Sequence, residues 1–344
     1  MTFRMTRRGF AAGAAGLLAA PMLPRRAEAA GSIVAAAFPG SWEDAYRTIM
    51  APIAAEAGVD VTIAPALAQD QVGKMMASGG TPPYDALLVS PGQTAMLQEQ
   101  GLIDEIDPSR LQNWDLLIDS AKTPLGPHVT VEVNGLAYNP ETVPKPSGYR
   151  ELFENPAFEG RFGVQGFGSN TATMAWAEIA KLYGGEPGDM QPVFDLLREK
   201  IDWIGAIGTS GNAIRTMYRQ GEIDVFMAST GNVARLRSLG LPCEFAHPQS
   251  GSPAIPVAIH MTKGASNPDA VYAYMDAAIS AEAQRQLAEP PSGYIPTNSE
   301  VDFTEIILEF VTPAQLANAI YPDWATINKH RAEWTAEFDR AVAM

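Results

Sequence analysis

Residues 31–64, GSIVAAAFPGSWEDAYRTIMAPIAAEAGVDVTIA, contain the pattern that decides the fold class. The apolar run Ser32–Phe38 is ended by Pro39-Gly40, and an amphipathic segment then continues as far as Gly58. A second apolar run, Val59–Ala64, follows directly. Short apolar runs suit buried strands and the intervening segment suits a surface helix, so this stretch predicts a strand–helix–strand unit.

The helix within this unit carries its own start signal. We expect Ser41 to cap it, with Asp44 as the capping-box partner, because such side chains accept hydrogen bonds from free backbone N–H groups. Pro52 is expected to kink the same helix, since proline has no N–H to donate.

The same alternation continues along the chain. Further elements are predicted as strands at Tyr84–Ser90, His128–Val133, Asp224–Ala228 and Ile255–Met261, and as helices at Gln69–Ser78, Gly92–Gly101, Thr171–Tyr183, Pro192–Lys200, Asn212–Gln220 and after the cap residue Asn267. Strands separated by helices predict an α/β fold with a parallel sheet covered on both faces. We expect two such lobes without a flexible linker, and therefore a cleft at their junction.

Composition narrows the function classes. The chain has 344 residues, which is enough for two domains. Hydrophobic residues make up 46% and charged residues 18%, a globular composition that excludes a disordered or fibrous chain. The net charge of −15 argues against sequence-independent nucleic-acid binding, which needs a basic face. The single cysteine, Cys243, excludes a disulfide framework and a four-cysteine metal site.

Residues 1–29 have the pattern of an export signal. A basic start leads into the apolar stretch Phe10–Leu23, which is shorter than the ~20 residues that span a bilayer. Ala27-Glu28-Ala29 supplies a cleavage site of the small-x-small type, so the mature chain is expected to begin at Ala30. The pair Arg7-Arg8 resembles the twin-arginine export signal, with a general secretory signal as the alternative. Because this segment contains five Arg and one Glu, the mature chain carries −19.

Seven short segments are spread along the mature chain in a characteristic order and spacing. They are Tyr84–Ser90 (YDALLVS), Gly135–Asn139 (GLAYN), Tyr149–Phe153 (YRELF), Phe158–Val164 (FEGRFGV), Gly221–Val225 (GEIDV), Gly264–Pro268 (GASNP) and Gly293–Asn298 (GYIPTN). Together they resemble the periplasmic substrate-binding proteins of ABC importers, in the branch that contains the spermidine/putrescine, iron(III) and thiamine binders.

The resemblance implies the two-lobed periplasmic binding protein fold of type II, with crossover strands joining the lobes. The first lobe would comprise residues 31–133 plus 248–293, and the second residues 134–247 plus 294–344. It also implies that a small-molecule solute is captured in the periplasm by hinge closure and delivered to an inner-membrane ABC permease. We expect a monomer that is not an enzyme and that needs no cofactor, no metal, no catalytic residues and no nucleic-acid partner.

Ligands of open α/β sheets bind beyond the carboxyl ends of the strands, where backbone N–H groups and helix dipoles favour negative charge. The polar clusters that meet this description give the expected ligand residues Ser41, Trp42, Ser90, Gly92, Ser169, Asn170, Thr171, Thr230 and Asn232. The crossover segments add Glu132, Asn134 and Tyr294. The alternative to ligand binding is a structural role for each residue. The Ser, Thr and Asn residues would cap helices, the two aromatic residues would pack in the protein, and the carboxylate would lie at a solvated strand end.

The chain departs from the polyamine binders at the positions that would select a cation. Ser229-Thr230-Gly231-Asn232 stands where those proteins have Trp-x-Gly-Asp, and Gly168-Ser169-Asn170 replaces an acidic helix start. Gly92 replaces an aromatic residue, and the chain has no Tyr-Tyr pair of the kind that iron binders use. Because ammonium groups are selected by carboxylates and aromatic faces, we expect a small acid, phosphonate or zwitterion, with a polyamine as the alternative.

Signals for catalysis are absent from the sequence. The four histidines, at positions 128, 247, 260 and 330, are isolated, and the sequence contains neither a His-Glu-x-x-His nor a Gly-x-Ser-x-Gly motif. An exported enzyme and a ligand sensor remain as the two alternatives to a transport protein.

The export signal leads to a test. Replacing Arg7 and Arg8 together with lysine is expected to leave the precursor in the cytoplasm, because the twin-arginine route depends on that pair. Cell fractionation followed by immunoblotting measures this. Normal export of the double variant would assign the signal to the general secretory route.

Overall fold

The computed structural model describes residues 31–290 and 292–343, so the predicted export signal lies outside the described residues. The strands are β1 (Gly31–Ala37), β2 (Val59–Pro65), β3 (Ala86–Val89), β4 (Lys122–Thr123), β5 (Gly126–Tyr138), β6 (Phe162–Gln165), β7 (Ala206–Gly208), β8 (Val225–Ser229), β9 (Glu244–Ala246) and β10 (Ala254–Met261).

Helices follow most of these strands. They are α1 (Ser41–Ala45), α2 (Ala51–Glu56), α3 (Ala68–Ala77), α4 (Pro91–Glu99), α5 (Glu151–Glu154), α6 (Asn170–Leu182), α7 (Gln191–Lys200), α8 (Gly211–Gln220), α9 (Thr230–Ser238), α10 (Pro268–Ala278), α11 (Ala281–Ala288), α12 (Glu305–Leu308), α13 (Pro313–Ala317) and α14 (Trp324–Val342). The predicted α/β class is confirmed.

The strands form two half-sheets that share β5. In the first half-sheet the order is β2-β1-β3-β10-β5, and in the second it is β5-β8-β6-β7, with β9 also paired to β5. Residues up to Val133 of β5 pair with β10, and residues from Asn134 onwards pair with β8. One continuous strand therefore joins the two halves.

The sheet is mixed, so the prediction of a parallel sheet holds for some strand pairs and is wrong for others. The pairs β1–β2, β1–β3, β6–β7 and β6–β8 are parallel, but β10 runs antiparallel to β3 and β5, and β5 runs antiparallel to β8. The physical reason is the crossover. Strand β5 leaves the first half-sheet at the carboxyl edge of its parallel strands and meets the carboxyl end of β8, where Asn134 lies opposite Ser229. The carboxyl edges of both half-sheets therefore face one junction.

The first helix begins differently from the prediction. Gly40 is the residue before the helix and has φ 83°, while Ser41 is the first helical residue and makes no capping bond. The expected Ser41 cap is therefore wrong, because Ser41 already belongs to the helix. The cap position is taken by Gly40, whose positive φ suits a residue without a Cβ. Between α1 and α2 the helix widens into a π turn, Tyr46–Met50, and Pro52 follows this turn as the second residue of α2.

Apolar side chains cover both faces of each half-sheet. Ile33, Leu88 and Met275 lie in a core under α10 on the first half-sheet, and Trp176 and Phe338 lie in a core between α6 and α14 on the second. Within the described residues no helix is both long and apolar enough to cross a membrane. Helices therefore pack against the half-sheets on both sides of the junction.

Two histidines lie on neighbouring strands of the first half-sheet, the half-buried His128 on β5 and the buried His260 on β10. His260 is 1% exposed, with Nδ1 2.8 Å from the Leu125 carbonyl and Nε2 2.8 Å from the Thr94 hydroxyl. Burial lowers the pKa of His260, and that of the neighbouring His128, from 6.5 to about 4. Both rings are therefore neutral in the folded protein at neutral pH.

Because both histidines are neutral in the folded protein, we expect its stability to decrease in acid. As pH falls from 6.5 towards 4 the unfolded chain takes up protons that the folded chain does not, so the free energy of unfolding should fall by up to about 1.4 kcal/mol per pH unit for each ring. Urea unfolding of the wild-type protein and of His260→Gln measures the slope of the free energy of unfolding against pH. The difference between the two proteins at pH 8, where the rings are neutral in both states, gives the cost of the packing that the substitution removes. Equal slopes below pH 6.5 for the two proteins would contradict this assignment.

Candidate functional site

A cavity of about 1410 Å³ opens at the junction of the half-sheets. Helix α4 lies on one side of it, and α6 and α14 lie on the other. Of the expected ligand residues, the structure brings four to its wall: Ser90, Glu132, Asn170 and Thr171. Ser90 follows β3, Asn170 and Thr171 begin α6, and Glu132 lies on β5 next to the junction. The rule that ligands lie beyond strand ends thus selects residues that share one cavity.

Arg331 is a lining residue that the sequence analysis missed. It lies on α14, where its Nε donates to the Phe167 carbonyl at 2.6 Å and its Nη2 donates to Asn170 Oδ1 at 2.8 Å. Burial lowers the pKa of Arg331, but an arginine remains charged at neutral pH. None of its bonds within the described residues goes to a carboxylate. The guanidinium therefore brings an uncompensated positive charge to the start of α6.

Gln93 contributes from the other side of the cavity. It lies on α4, is 9% exposed and lines the cavity, and its Oε1 has no hydrogen-bond partner among the described residues. An unpaired buried amide oxygen costs free energy, so it fits a position where a ligand donates a hydrogen bond.

Glu132 is the carboxylate nearest the junction. Its Oε1 accepts a bond from the Ser229 hydroxyl at 3.2 Å and lies 2.9 Å from the point where a Cβ on Gly231 would be. Burial raises the pKa of Glu132, and the bond from Ser229 opposes that rise. A ligand ammonium or hydroxyl group would stabilise the charged carboxylate.

Gly92 lies between helices instead of at the cavity wall. A Cβ at this position would lie 3.2 Å from the ring of Trp324, and the Gly92 carbonyl accepts a bond from Asn328 Nδ2 at 2.7 Å. This contact joins α4 to α14 across the junction. The small size of Gly92 is explained by the close approach of the Trp324 ring.

The aromatic pair Trp42 and Tyr294 is stacked, with ring centroids 4.2 Å apart and an angle of 22° between the rings. Both rings pack against the core of the first half-sheet. Burial raises the pKa of Tyr294, and the negative charge of Glu132 adds to the shift. The pair therefore lies near Glu132, while Ser41 lies at the start of the same helix as Trp42.

The remaining expected residues occupy helix starts and the strand end. Ser169 caps α6 by accepting a bond from the Ala172 N–H. Ser229, not Thr230, caps α9, and the Asn232 N–H is the donor at 3.4 Å. Asn134 is 1% exposed, and its Oδ1 has no partner among the described residues. The expected residues of this group flank the junction but do not line the large cavity; they are Ser169, Thr230, Asn232 and Asn134.

The described residues contain no group of three or more His, Cys, Asp or Glu that could hold a metal ion. The site is a polar cavity lined by two cationic residues, two carboxylates, of which Glu132 is half-buried, and several hydrogen-bonding groups.

Comparison with known proteins shows the family of the chain. Residues 48–307 match the model of the bacterial extracellular solute-binding protein family. The chain belongs to this family. Its function is therefore to bind a solute outside the cytoplasm, and the resemblance predicted from the seven segments is confirmed.

Individual relatives agree in fold but differ in ligand. The spermidine/putrescine-binding periplasmic protein of Escherichia coli is 21% identical over 278 residues, which cover 76% of this chain and 75% of that protein. The crystal structure of an ABC transporter protein from Clostridium perfringens has a TM-score of 0.79 at 20% identity and covers 90% of this chain and 99% of that one. A periplasmic binding protein of Agrobacterium tumefaciens, solved with agropinic acid, has a TM-score of 0.67 at 20% identity, with 91% and 99% covered. The predicted two-lobed periplasmic binding protein fold is confirmed.

The helix contact at Gly92 is testable. Replacing Gly92 with Val should force α14 away from α4 and lower the free energy of unfolding by about 1–3 kcal/mol, because the added methyl groups meet the Trp324 ring. Urea unfolding measures the change. Gly73→Val on α3 is the matched control, since a Cβ there meets no atom within 4 Å. Equal stability of both variants would show that the two helices are not held in contact.

Proposed function

We propose that this chain captures a small solute that bears a carboxylate, in the cleft between its two lobes, as the substrate-binding component of an ABC transporter. The observation that carries the proposal is Arg331, which lies in the cavity without a carboxylate partner. A carboxylate would complete its charge-assisted hydrogen bonds and would also face the N-terminus of α6.

The charges of the lining residues favour a zwitterion over a polyamine. The charged residues on the described cavity wall are Arg331, Lys329, Glu132 and Glu99, two of each sign. A diamine would add two positive charges to a cavity wall on which Arg331 and Lys329 already balance the two carboxylates, and uncompensated charge in a partly buried site costs free energy. A solute with a carboxylate at Arg331 and an ammonium or hydroxyl group at Glu132 and Gln93 satisfies both ends.

The relatives alone do not choose between these solutes. One curated relative is named for polyamines and one solved structure contains an acid, so the same fold accommodates both. The side chains of the cavity distinguish between the two kinds of solute. In this chain an arginine lies on the cavity wall, and the aromatic and carboxylate residues of the polyamine pattern are missing. A polyamine remains the second candidate because Glu132 would accept one ammonium group.

Closure follows from the two-lobed architecture. A ligand that contacts α4 on one lobe and α6 and α14 on the other stabilises the closed form, because those contacts exist together only when the lobes meet. We place the lobes at residues 31–133 plus 248–293 and at 134–247 plus 294–344. The mature protein is a periplasmic monomer without catalytic activity, formed by cleavage after Ala29, and it delivers its solute to an inner-membrane permease.

Three four-carbon solutes that differ only in their end groups test the proposal: 4-aminobutyrate, succinate and putrescine. We expect 4-aminobutyrate and succinate to raise the melting temperature more than putrescine, and 4-aminobutyrate the most. At a hundred times the dissociation constant the stabilisation is about 2.7 kcal/mol. Differential scanning fluorimetry followed by calorimetric titration gives the order and the affinities.

Two substitutions locate the effect. Arg331→Gln should weaken 4-aminobutyrate binding at least about tenfold, since a charge-assisted hydrogen bond contributes about 1.5–3 kcal/mol. Arg340→Gln is the matched control on the same helix, where the arginine pairs with Glu337 at the surface. Submicromolar putrescine binding that is unchanged by Arg331→Gln would establish the polyamine alternative and overturn the carboxylate.

A further inference from the structure

Two arginines beside the junction are not part of the large cavity. Arg215 lies on α8 and Arg235 lies on α9, the helices that follow β7 and β8 at the carboxyl edge of the second half-sheet. Neither forms an ion pair within the described residues, although the chain carries a net charge of −15. By contrast, Arg161, Arg198 and Arg237 each pair with a carboxylate.

The two helices share a local pattern. Each is capped by a serine, has a glycine in its first turn and carries the arginine four residues after that glycine: Ser210, Gly211 and Arg215 on α8, and Ser229, Gly231 and Arg235 on α9. Residues four apart lie on one face of a helix, and side chains lean towards its N-terminus. The Arg215 guanidinium is directed back to the start of α8, and the same spacing leads us to expect that the exposed Arg235 side chain leans towards the start of α9.

The position of Arg215 is given by two distances. Its Nη1 lies 3.4 Å from the point where a Cβ on Gly211 would be, and Gln165 Oε1 lies 3.9 Å from the same point. The other Arg215 Nη atom donates to the Asn212 side-chain oxygen. The guanidinium is thus half-buried at the end of β6, with an amide as its only hydrogen-bond partner in the described part of the chain.

Gln165 supplies an independent observation. It is the last residue of β6, is 5% exposed and has an Oε1 without a hydrogen-bond partner among the described residues. A side-chain amide can turn by 180° and present its NH₂ group instead, so Gln165 can complete the coordination of a bound group as donor or acceptor. The unpartnered Gln165 amide and the Arg215 guanidinium can together hydrogen-bond to a polar ligand group.

Arg235 connects this place to the proposed solute site. Gly231, one turn before it on α9, lies against Glu132 Oε1. Burial lowers the pKa of Arg215, and the positive charge of Arg235 lowers it further. Two adjacent arginines without a carboxylate are relieved of their repulsion by an anion.

We propose that Arg215, Arg235 and Gln165 form a second anion-binding site at the second-lobe edge of the cleft, and that it holds an additional carboxylate or other acidic group of the solute. The inference rests on the proposed function, because it takes Arg331 as the partner of the first carboxylate and Glu132 as the partner of an ammonium group. The solute class is then an amino acid with two acidic groups.

Two matched pairs of compounds isolate the added group. Glutamate is 4-aminobutyrate with a carboxylate added on the carbon that bears the amine, and 2-aminoadipate is 5-aminovalerate with the same addition. In calorimetric titration of the wild-type protein, the added carboxylate should tighten binding about tenfold or more in at least one pair. The double variant Arg215→Gln/Arg235→Gln should lose that gain and keep the affinity for the compound with one carboxylate.

Controls separate charge from folding. Arg219→Gln, on the same helix α8, should keep the gain, and Arg215→Lys/Arg235→Lys should recover part of it because the charge is retained. The melting temperature of each variant without ligand establishes that it is folded.

The two proposals fail in different ways. A gain that persists in the double variant, or no gain in either pair with the wild-type protein, overturns the second anion site alone if Arg331→Gln still weakens 4-aminobutyrate. If Arg331→Gln leaves 4-aminobutyrate unchanged, or none of the compounds binds, the proposed function fails and the second site fails with it.

Discussion

Strand β5 sets the geometry on which the other parts of the structure depend. It runs without interruption from the first half-sheet into the second, and its direction makes the carboxyl edges of both sets of parallel strands face each other. Every loop that follows a parallel strand therefore reaches the same junction. Glu132 lies on this strand at the changeover, so the carboxylate of the site is held by the element that joins the lobes.

The distribution of charge at the junction contrasts with that of the whole chain. The chain has a net charge of −15, yet Arg331, Arg215 and Arg235 lie at the junction without carboxylate partners in the described residues. Because salt screens the overall negative field beyond about 8 Å, we expect these local groups to select the solute and the field mainly to slow the approach of anions. The packing of Trp324 on Gly92 brings α14, and with it Arg331, against the first lobe.

The sequence predicted those parts that follow from local rules. The alternation of strands and helices predicted the α/β class, and the rule of strand ends placed Ser90, Asn170 and Thr171 at the cavity. Arg331 was missed because it lies on a long amphipathic helix more than 150 residues from Asn170, and nothing in the local pattern shows what that helix packs against. The prediction of a parallel sheet was wrong for some strand pairs because crossover strands have the same apolar pattern as parallel ones. The role of Gly92 depends on the ring of Trp324, a contact that spacing along the chain does not reveal.

The central claim is that the cleft holds a solute through its carboxylate. The most direct test is mass spectrometry of small molecules released by denaturing protein freshly purified from the periplasm of its own host, with the Arg331→Gln variant prepared in parallel. The account predicts one compound that contains at least one carboxylate, near one mole per mole of wild-type protein and strongly depleted in the variant. A polyamine, or any compound without an acidic group, retained equally by both proteins would contradict it.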